Sequence, residues 1–272
     1  MGKLFHLPPP DKVHTYLVLS DLHLRYIDRK AFTLTLSYFQ LVPMEQRKIL
    51  LLGDILDLPY FYSKSDIYRS KFKDRDWDFF IDHVREEMEL FDQLYVFLRG
   101  SVLDPEDIKY CAGNHEGRLS RENFINRVPV DLRENFNIEY ILKGRIRGME
   151  VIQYNDSYRL PVGPGLRFTH GMYCGLNVCK KHFMVYNEPV MFGHTHEIGA
   201  YAPKTADEKD EKVCWNVPCM CTGKAGDYMR GSANNWSLGF GVVNADPDTY
   251  TVQIMQIKDN KLFLPTGERF MA

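Results

Sequence analysis

The sequence predicts an α/β protein on three observations. Short apolar runs each end in a polar residue, a helical period fills the space between them, and the last third changes to strands separated by turns. The runs are residues 15–20 before Asp21, 48–53 before Asp54, 108–112 before Asn114, 166–169 before His170 and 190–193 before His194. Runs this short and apolar suit strands buried on both faces. Between the second and third, Trp77, Phe80, Ile81, Val84, Met88, Phe91, Leu94, Tyr95 and Leu98 recur every three or four positions. Asp78, Asp82, Arg85, Glu86, Glu89 and Asp92 fall on the opposite side, which makes this a packing helix with a solvated acidic face.

The C-terminal strands are read at 213–217, 240–244 and 251–257, with a turn at Asp246-Pro247-Asp248 and an exposed charged loop over 203–212. They predict a second, more antiparallel sheet. No repeat or linker divides the chain, so one domain over 1–272 is expected. Its polar strand ends lie within 17–196, and 197–272 supplies second-sheet strands and loops framing a site.

Composition narrows the function classes. With 272 residues, 44% hydrophobic and 26% charged, the chain is long enough for a sizeable core and too apolar for disorder. A formal charge of −2 gives no whole-molecule attraction to nucleic acid or an anionic membrane. Residues 1–10 lack the features of a signal peptide, and no apolar run approaches the roughly 18 residues of a membrane span, so a cytoplasmic location is expected. Cys111, Cys174, Cys179, Cys214, Cys219 and Cys221 are scattered and read as buried free thiols. Cys219-x-Cys221 fits the usual zinc spacing poorly.

The polar strand ends carry the chemistry. In order they are Asp21-Leu-His23, Gly53-Asp54-Ile-Leu-Asp57, Gly113-Asn114-His115-Glu116, His170-Gly171 and Gly193-His194-Thr195-His196. Each alone is a weak signal, since single histidines are mostly structural. Together they offer carboxylate, imidazole and amide donors suited to hard-to-borderline divalent metals. Glycines beside them let the backbone turn sharply while side chains approach an ion.

These ordered blocks resemble the calcineurin-like metallophosphoesterase family, across residues 17–196. The resemblance implies a four-layer α/β/β/α sandwich, two mixed sheets flanked by helices, with two metals at the strand ends. It assigns Asp21, His23 and His196 to the first metal and Asn114, His170 and His194 to the second, with Asp54 bridging. Two divalent ions per chain are implied: Mn²⁺ first, with Fe or Zn also suited to these donors. The implied reaction is in-line attack of a metal-bridging hydroxide on a phosphate ester, with His115 as general acid. In the family's GDxxD pattern Asp57 orients and charges that histidine; the other reading of Asp57 is a helix cap. Glu116 is expected to be structural, since a second carboxylate would repel the phosphate. Arg118 either pairs with Glu116 or binds the substrate phosphate.

The substrate is read less directly. Leu58 stands where the family's phosphoprotein phosphatases carry an arginine, which weakens that reading. The stretch SDLHL at 20–24 also resembles the lipid A pathway pyrophosphohydrolases, which carry arginine where His115 stands. The segment 60–75 interleaves aromatics with lysine and arginine, as single-stranded nucleic acid or nucleotides require, or else forms a lid packed on the sandwich. A second rim, 226–236, presents Tyr228 and Arg230 as substrate contacts, or uses Trp236 to plug the core. Its combination with GNHE and GHTH resembles metallophosphoesterases of phages and prophages. The expected function is a phosphodiesterase on nucleotides or nucleic acid. The alternatives are a phosphomonoesterase and a metal-binding scaffold without catalysis. No protein partner is implied.

Overall fold

The computed structural model describes residues 13–61, 77–145, 148–160, 162, 165–204, 212–223 and 235–271. Three strands, β1 (His14–Leu19), β2 (Arg47–Leu52) and β3 (Ile108–Cys111), lie parallel and in register at the centre of one sheet. Alternation along them explains the layering. Leu17, Leu19, Ile49, Leu51, Ile108 and Tyr110 face a core shared with helices α1 (Arg29–Phe39) and α2 (Trp77–Gly100). Val18, Leu50, Leu52 and Cys111 face the opposite way, into a core shared with Leu166, Phe168 and Met191 of a second sheet. Each of these large side chains is worth about 1.5–3 kcal/mol when fully buried, so a one-residue slip of register would be costly.

The second sheet runs β5 (Tyr158–Leu160), β6 (Leu166–Thr169), β7 (Val190–Phe192), β9 (Cys214–Asn216), β8 (Gly199–Tyr201). Val190 and Phe192, on its outer face, pack against Val178, Cys179 and Phe183 of α5 (Val178–Tyr186). Helices, sheet, sheet, helix is therefore the layer order, and both sheets are mixed. Short helices α3 (Glu122–Ile125) and α4 (Ile138–Arg145) precede β4 (Glu150–Ile152), which pairs with β3.

The C-terminal strands depart from expectation. Only β9 joins the second sheet. β10 (Leu238–Ala245) pairs antiparallel with β1, and β11 (Tyr250–Lys258), β12 (Lys261–Phe263) and β13 (Arg269–Met271) extend the first sheet beyond it. The reason is burial: Phe240, Val242 and Val243 have both faces covered, so their pattern carries no preference for either sheet. Most of the 203–212 loop lies outside the described residues. None of the described helices is long and apolar enough to cross a membrane.

Candidate metal centre

The five polar blocks emerge side by side from β1, β2, β3, β6 and β7 and are tied to one another by the backbone. Asp21, His23 and Leu24 donate their N–H groups to the carbonyls of Gly53, Asp54 and Ile55 at 3.0, 2.9 and 2.9 Å. Gly193 N–H donates to the His170 carbonyl at 3.0 Å. Gly53, at φ +80°, is packed so closely that a Cβ there would sit 2.6 Å from His170 Nδ1. A Cβ on Gly193 would collide with Ser20 Oγ.

Asp21, His23, Asp54, His194 and His196 all have positive φ, at 51°, 41°, 49°, 74° and 63°. Such left-handed backbone costs a non-glycine residue of order 1–3 kcal/mol, and it persists only where surrounding structure enforces it. Five of the seven residues expected to bind metal carry this backbone strain.

Each carboxylate is held by one oxygen and presents the other. Asp54 Oδ1 accepts from the His115 N–H at 2.8 Å, and Oδ2 stands 3.3 Å from His170 Nε2 and 3.7 Å from His115 Nε2. Asp21 Oδ2 accepts from Ser20 Oγ at 2.6 Å and from the His194 N–H at 2.8 Å. Its Oδ1 is buried without a hydrogen-bond partner, 3.2 Å from His196 Nε2. The imidazoles are arranged likewise. His170 Nδ1 donates to the Leu52 carbonyl at 2.7 Å, leaving Nε2 beside Asn114 Oδ1 at 3.0 Å. His23 Nδ1 donates to Asp57 Oδ1 at 3.0 Å, leaving Nε2 3.3 Å from His196 Nε2. His194 Nδ1 is buried and unpartnered.

Asp54 belongs to two groups of donors, one with His170 and His194 and the other with His23 and His115. Facing ring nitrogens, an orphaned carboxylate oxygen and an orphaned imidazole nitrogen all fit divalent cations. The expected ligands Asp21, His23, Asp54, Asn114, His170, His194 and His196 are thus brought together.

Without cations, protons fill part of this role. Burial disfavours charge on His170 and His196, but the carboxylates of Asp54 and Asp21 outweigh it, raising them from 6.5 to about 9 and about 10. Burial likewise opposes ionisation of Asp21 and Asp54, yet the adjacent imidazoles hold both below the usual carboxylate range. Because the folded values of His170 and His196 lie above 6.5, their stabilisation is complete below that pH and is lost as pH rises through about 9 to 10. The metal-free protein should therefore show a melting temperature that falls from pH 7 to 10. The metal-loaded protein should stay level over the same interval, because cations replace the protons. A thermal melt series in chelator and in Mn²⁺ measures this, and parallel curves would refute it.

Three expectations change. Asp57 turns its carboxylate to His23, not to His115, from which Oδ1 is 3.5 Å away. His115 Nδ1 instead donates to the Asp57 carbonyl at 2.6 Å. Burial lowers His115 to about 3, against the partial offset of Asp54, so its resting imidazole is neutral where a charged one was expected. Arg118 is buried, and its Nη1 donates to the carbonyls of Asp57 and Leu58 at 3.2 and 3.4 Å, which braces the second block.

Glu116 is structural, by a route the sequence did not disclose. Its carboxylate accepts from the N–H groups of Asp54, Ile55, Leu56 and Gly113 and from Tyr110 Oη. Glu87, buried in α2, accepts from the Asp57 N–H at 3.0 Å and pairs with Arg25. It was missed because it occupies the packing side of the helix. His182, also missed, accepts from the Met172 N–H at 3.1 Å and so steadies the loop after His170.

Tyr228 and Arg230 lie outside the described residues, as does most of 60–75. The two described aromatics of that strip pack inward: Phe61 is buried against Phe124, and Tyr60 packs on His83. Trp236 lies against His196, with ring centroids 4.1 Å apart.

Comparison with known proteins gives distant relatives. No family model matches the chain. The Gene 54 protein of Mycobacterium phage L5 is 23% identical over 248 residues, covering 85% of this chain and 88% of that protein. Among solved structures, Vps29 from Entamoeba histolytica complexed with zinc aligns over 94% of this chain and 98% of its own, with 11% identity and a TM-score of 0.47. Vps29 of Chaetomium thermophilum aligns over 94% and 95%, with 13% identity and a TM-score of 0.45.

Proposed function

We propose that the protein is a dinuclear metal-dependent phosphoesterase, with Asp21, His23 and His196 on one cation, Asn114, His170 and His194 on the other, and Asp54 between them. The observation that supports this reading is Asp54, which lies within donor distance of His170 and His194 on one side and of His23 on the other. Two divalent cations held there would lower the pKa of water so that hydroxide is available near neutrality to attack phosphorus, and would clamp the phosphate oxygens. Imidazole and carboxylate donors suit manganese, iron and zinc alike.

His115 is the proton-transfer group of this proposal. Its Nδ1 is fixed by the Asp57 carbonyl, so Nε2 is the atom that exchanges a proton. Burial keeps the ring neutral, whereas a phosphate anion arriving beside Nε2 acts in the opposite sense and favours the protonated, donating form. Asp57 acts through His23, orienting that ligand.

The preferred substrate class is a phosphodiester, with nucleotides and single-stranded nucleic acid as the compounds to try. The monoester alternative rests on the GNHE block and on Arg118, and Arg118 directs its Nη1 to the backbone carbonyls of Asp57 and Leu58. The test compares Mn²⁺-loaded protein on a bis-aryl phosphate diester and the matching monoester, then on single-stranded DNA, RNA and cyclic nucleotides. Faster monoester turnover would reverse the preference, and inactivity on all of them with two cations bound would leave a metal-binding scaffold. His115→Ala should keep both cations and lose about 10²–10⁴-fold in turnover of esters with poor leaving groups, with a much smaller loss on an activated aryl ester. Equal losses on both would remove the acid role.

A further inference from the structure

Every imidazole in the centre turns one ring nitrogen inward and the other outward, and the outward partners are not alike. His23 donates outward to Asp57 Oδ1 at 3.0 Å, His170 to the Leu52 carbonyl at 2.7 Å and His115 to the Asp57 carbonyl at 2.6 Å. The two histidines of the GHTH block instead face sulfur. His194 Nε2 lies 3.0 Å from Cys174 Sγ, and His196 Nδ1 lies 3.9 Å from Cys221 Sγ.

The His196 arrangement is the more enclosed. Cys221 is 2% exposed and clusters with Cys219, Tyr26 and Trp236. Bridges from Ile27 to Cys221 and from Ser20 to Cys219 tie this segment to the chain around Asp21 and His23. On the inward side of His196, Nε2 faces His23 Nε2 at 3.3 Å and the fully buried, unpartnered Oδ1 of Asp21 at 3.2 Å.

We infer that Cys221 is a positioning residue for the first metal pocket: its sulfur accepts the Nδ1–H of His196, so that Nε2 presents its lone pair between Asp21 and His23. The inference rests on the reading that these three residues hold a cation. The other neutral tautomer would place a hydrogen on Nε2, in the space the cation needs. Outer partners of metal-bound histidines fix that tautomer and raise the ring's basicity. Sulfur is a weaker acceptor than the oxygens behind His23 and His170. Each pocket has one sulfur-backed histidine, His196 against Cys221 in the first and His194 against Cys174 in the second, so sulfur chemistry at Cys221 acts on the first pocket alone.

The test titrates metal-free protein with Co²⁺, followed by visible absorbance and calorimetry, for the parent, Cys221→Ser and Cys221→Val. Serine keeps an acceptor, and valine fills the space without one. The parent should take up two Co²⁺. Cys221→Val should weaken one of them by about tenfold or more and leave the other unchanged, whereas Cys221→Ser should stay within about threefold of the parent. Equal losses for serine and valine, or no loss for valine, would reduce Cys221 to packing and overturn the inference. Imidazole nitrogen chemical shifts of the Zn²⁺-loaded parent give a second measure that needs no variant to fold: His196 should carry its hydrogen on Nδ1, and a hydrogen on Nε2 would overturn the inference. Two bound Co²⁺ with no phosphoester hydrolysis would instead remove the catalytic reading and leave the role of Cys221 standing. Failure of the parent to bind Co²⁺ would remove both.

Discussion

Asp54→Asn should cost the protein both cations together and lower phosphoester turnover by roughly a thousandfold or more. The substitution is chosen because it preserves the fold. The amide oxygen of asparagine can still accept the His115 N–H that Asp54 Oδ1 accepts at 2.8 Å. What it cannot supply is the negative charge on Oδ2, or an acceptor there, 3.3 Å from His170 Nε2. Its amide nitrogen would point donor hydrogens into the pocket instead. Altering even an outer partner of a metal ligand costs about 10–100-fold in affinity, so if Asp54 is shared by two cations as proposed, its loss should exceed that at each. Elemental analysis after dialysis should find well under two metals per chain. A ligand to one cation only, such as Asn114, gives the contrast: Asn114→Ala should lose one equivalent and keep the other. Two tightly bound metals in Asp54→Asn would remove Asp54 from its shared position, and with it the proposed centre.

The convergence of the polar strand ends was legible in the sequence because its logic is local. A strand end, a glycine and a polar side chain fall within a few positions of each other in Gly53-Asp54, Gly113-Asn114 and Gly193-His194. The helix over 77–100 was legible for the same reason, from its apolar period. What failed to show were choices made between distant segments. β10 finds its place beside β1 across more than two hundred positions, and a strand apolar on both faces gives no sign of which sheet will take it. Asp57 has two histidines within reach, and its carboxylate goes to His23 while its carbonyl goes to His115. A residue pattern does not distinguish a side-chain acceptor from a backbone acceptor at the same position. Cys174 and Cys221 read as ordinary thiols because their meaning lies wholly in which imidazole they meet.

Glu116 supplies the second large effect, on stability. Its Oε1 accepts from Ile55 N, Leu56 N and Tyr110 Oη at 2.9, 2.9 and 2.8 Å, and its Oε2 from Asp54 N and Gly113 N at 3.1 and 2.8 Å. Burial and the neighbouring Asp54 carboxylate both push Glu116 upward from its ordinary pKa, so a charge here survives only inside this ring of donors. Glu116→Ala would remove the acceptor and leave buried N–H groups of the second and third blocks unpaired, each costing about 1–3 kcal/mol. The sum is several kcal/mol, a large part of the roughly 5–15 kcal/mol that holds a protein folded. At about 2–4 °C per kcal/mol for a chain of somewhat smaller size, the melting temperature should fall by about 10 °C or more. Glu116→Gln should fall between parent and alanine, since its amide oxygen satisfies the donors on one side while its amide nitrogen opposes those on the other. Metal affinity should weaken in the same order, because the bonds from Asp54 N and Gly113 N are what hold Asp54 beside the strand end that delivers Asn114. An alanine variant that melts within a few degrees of the parent would mean that these blocks stand in place without the carboxylate between them.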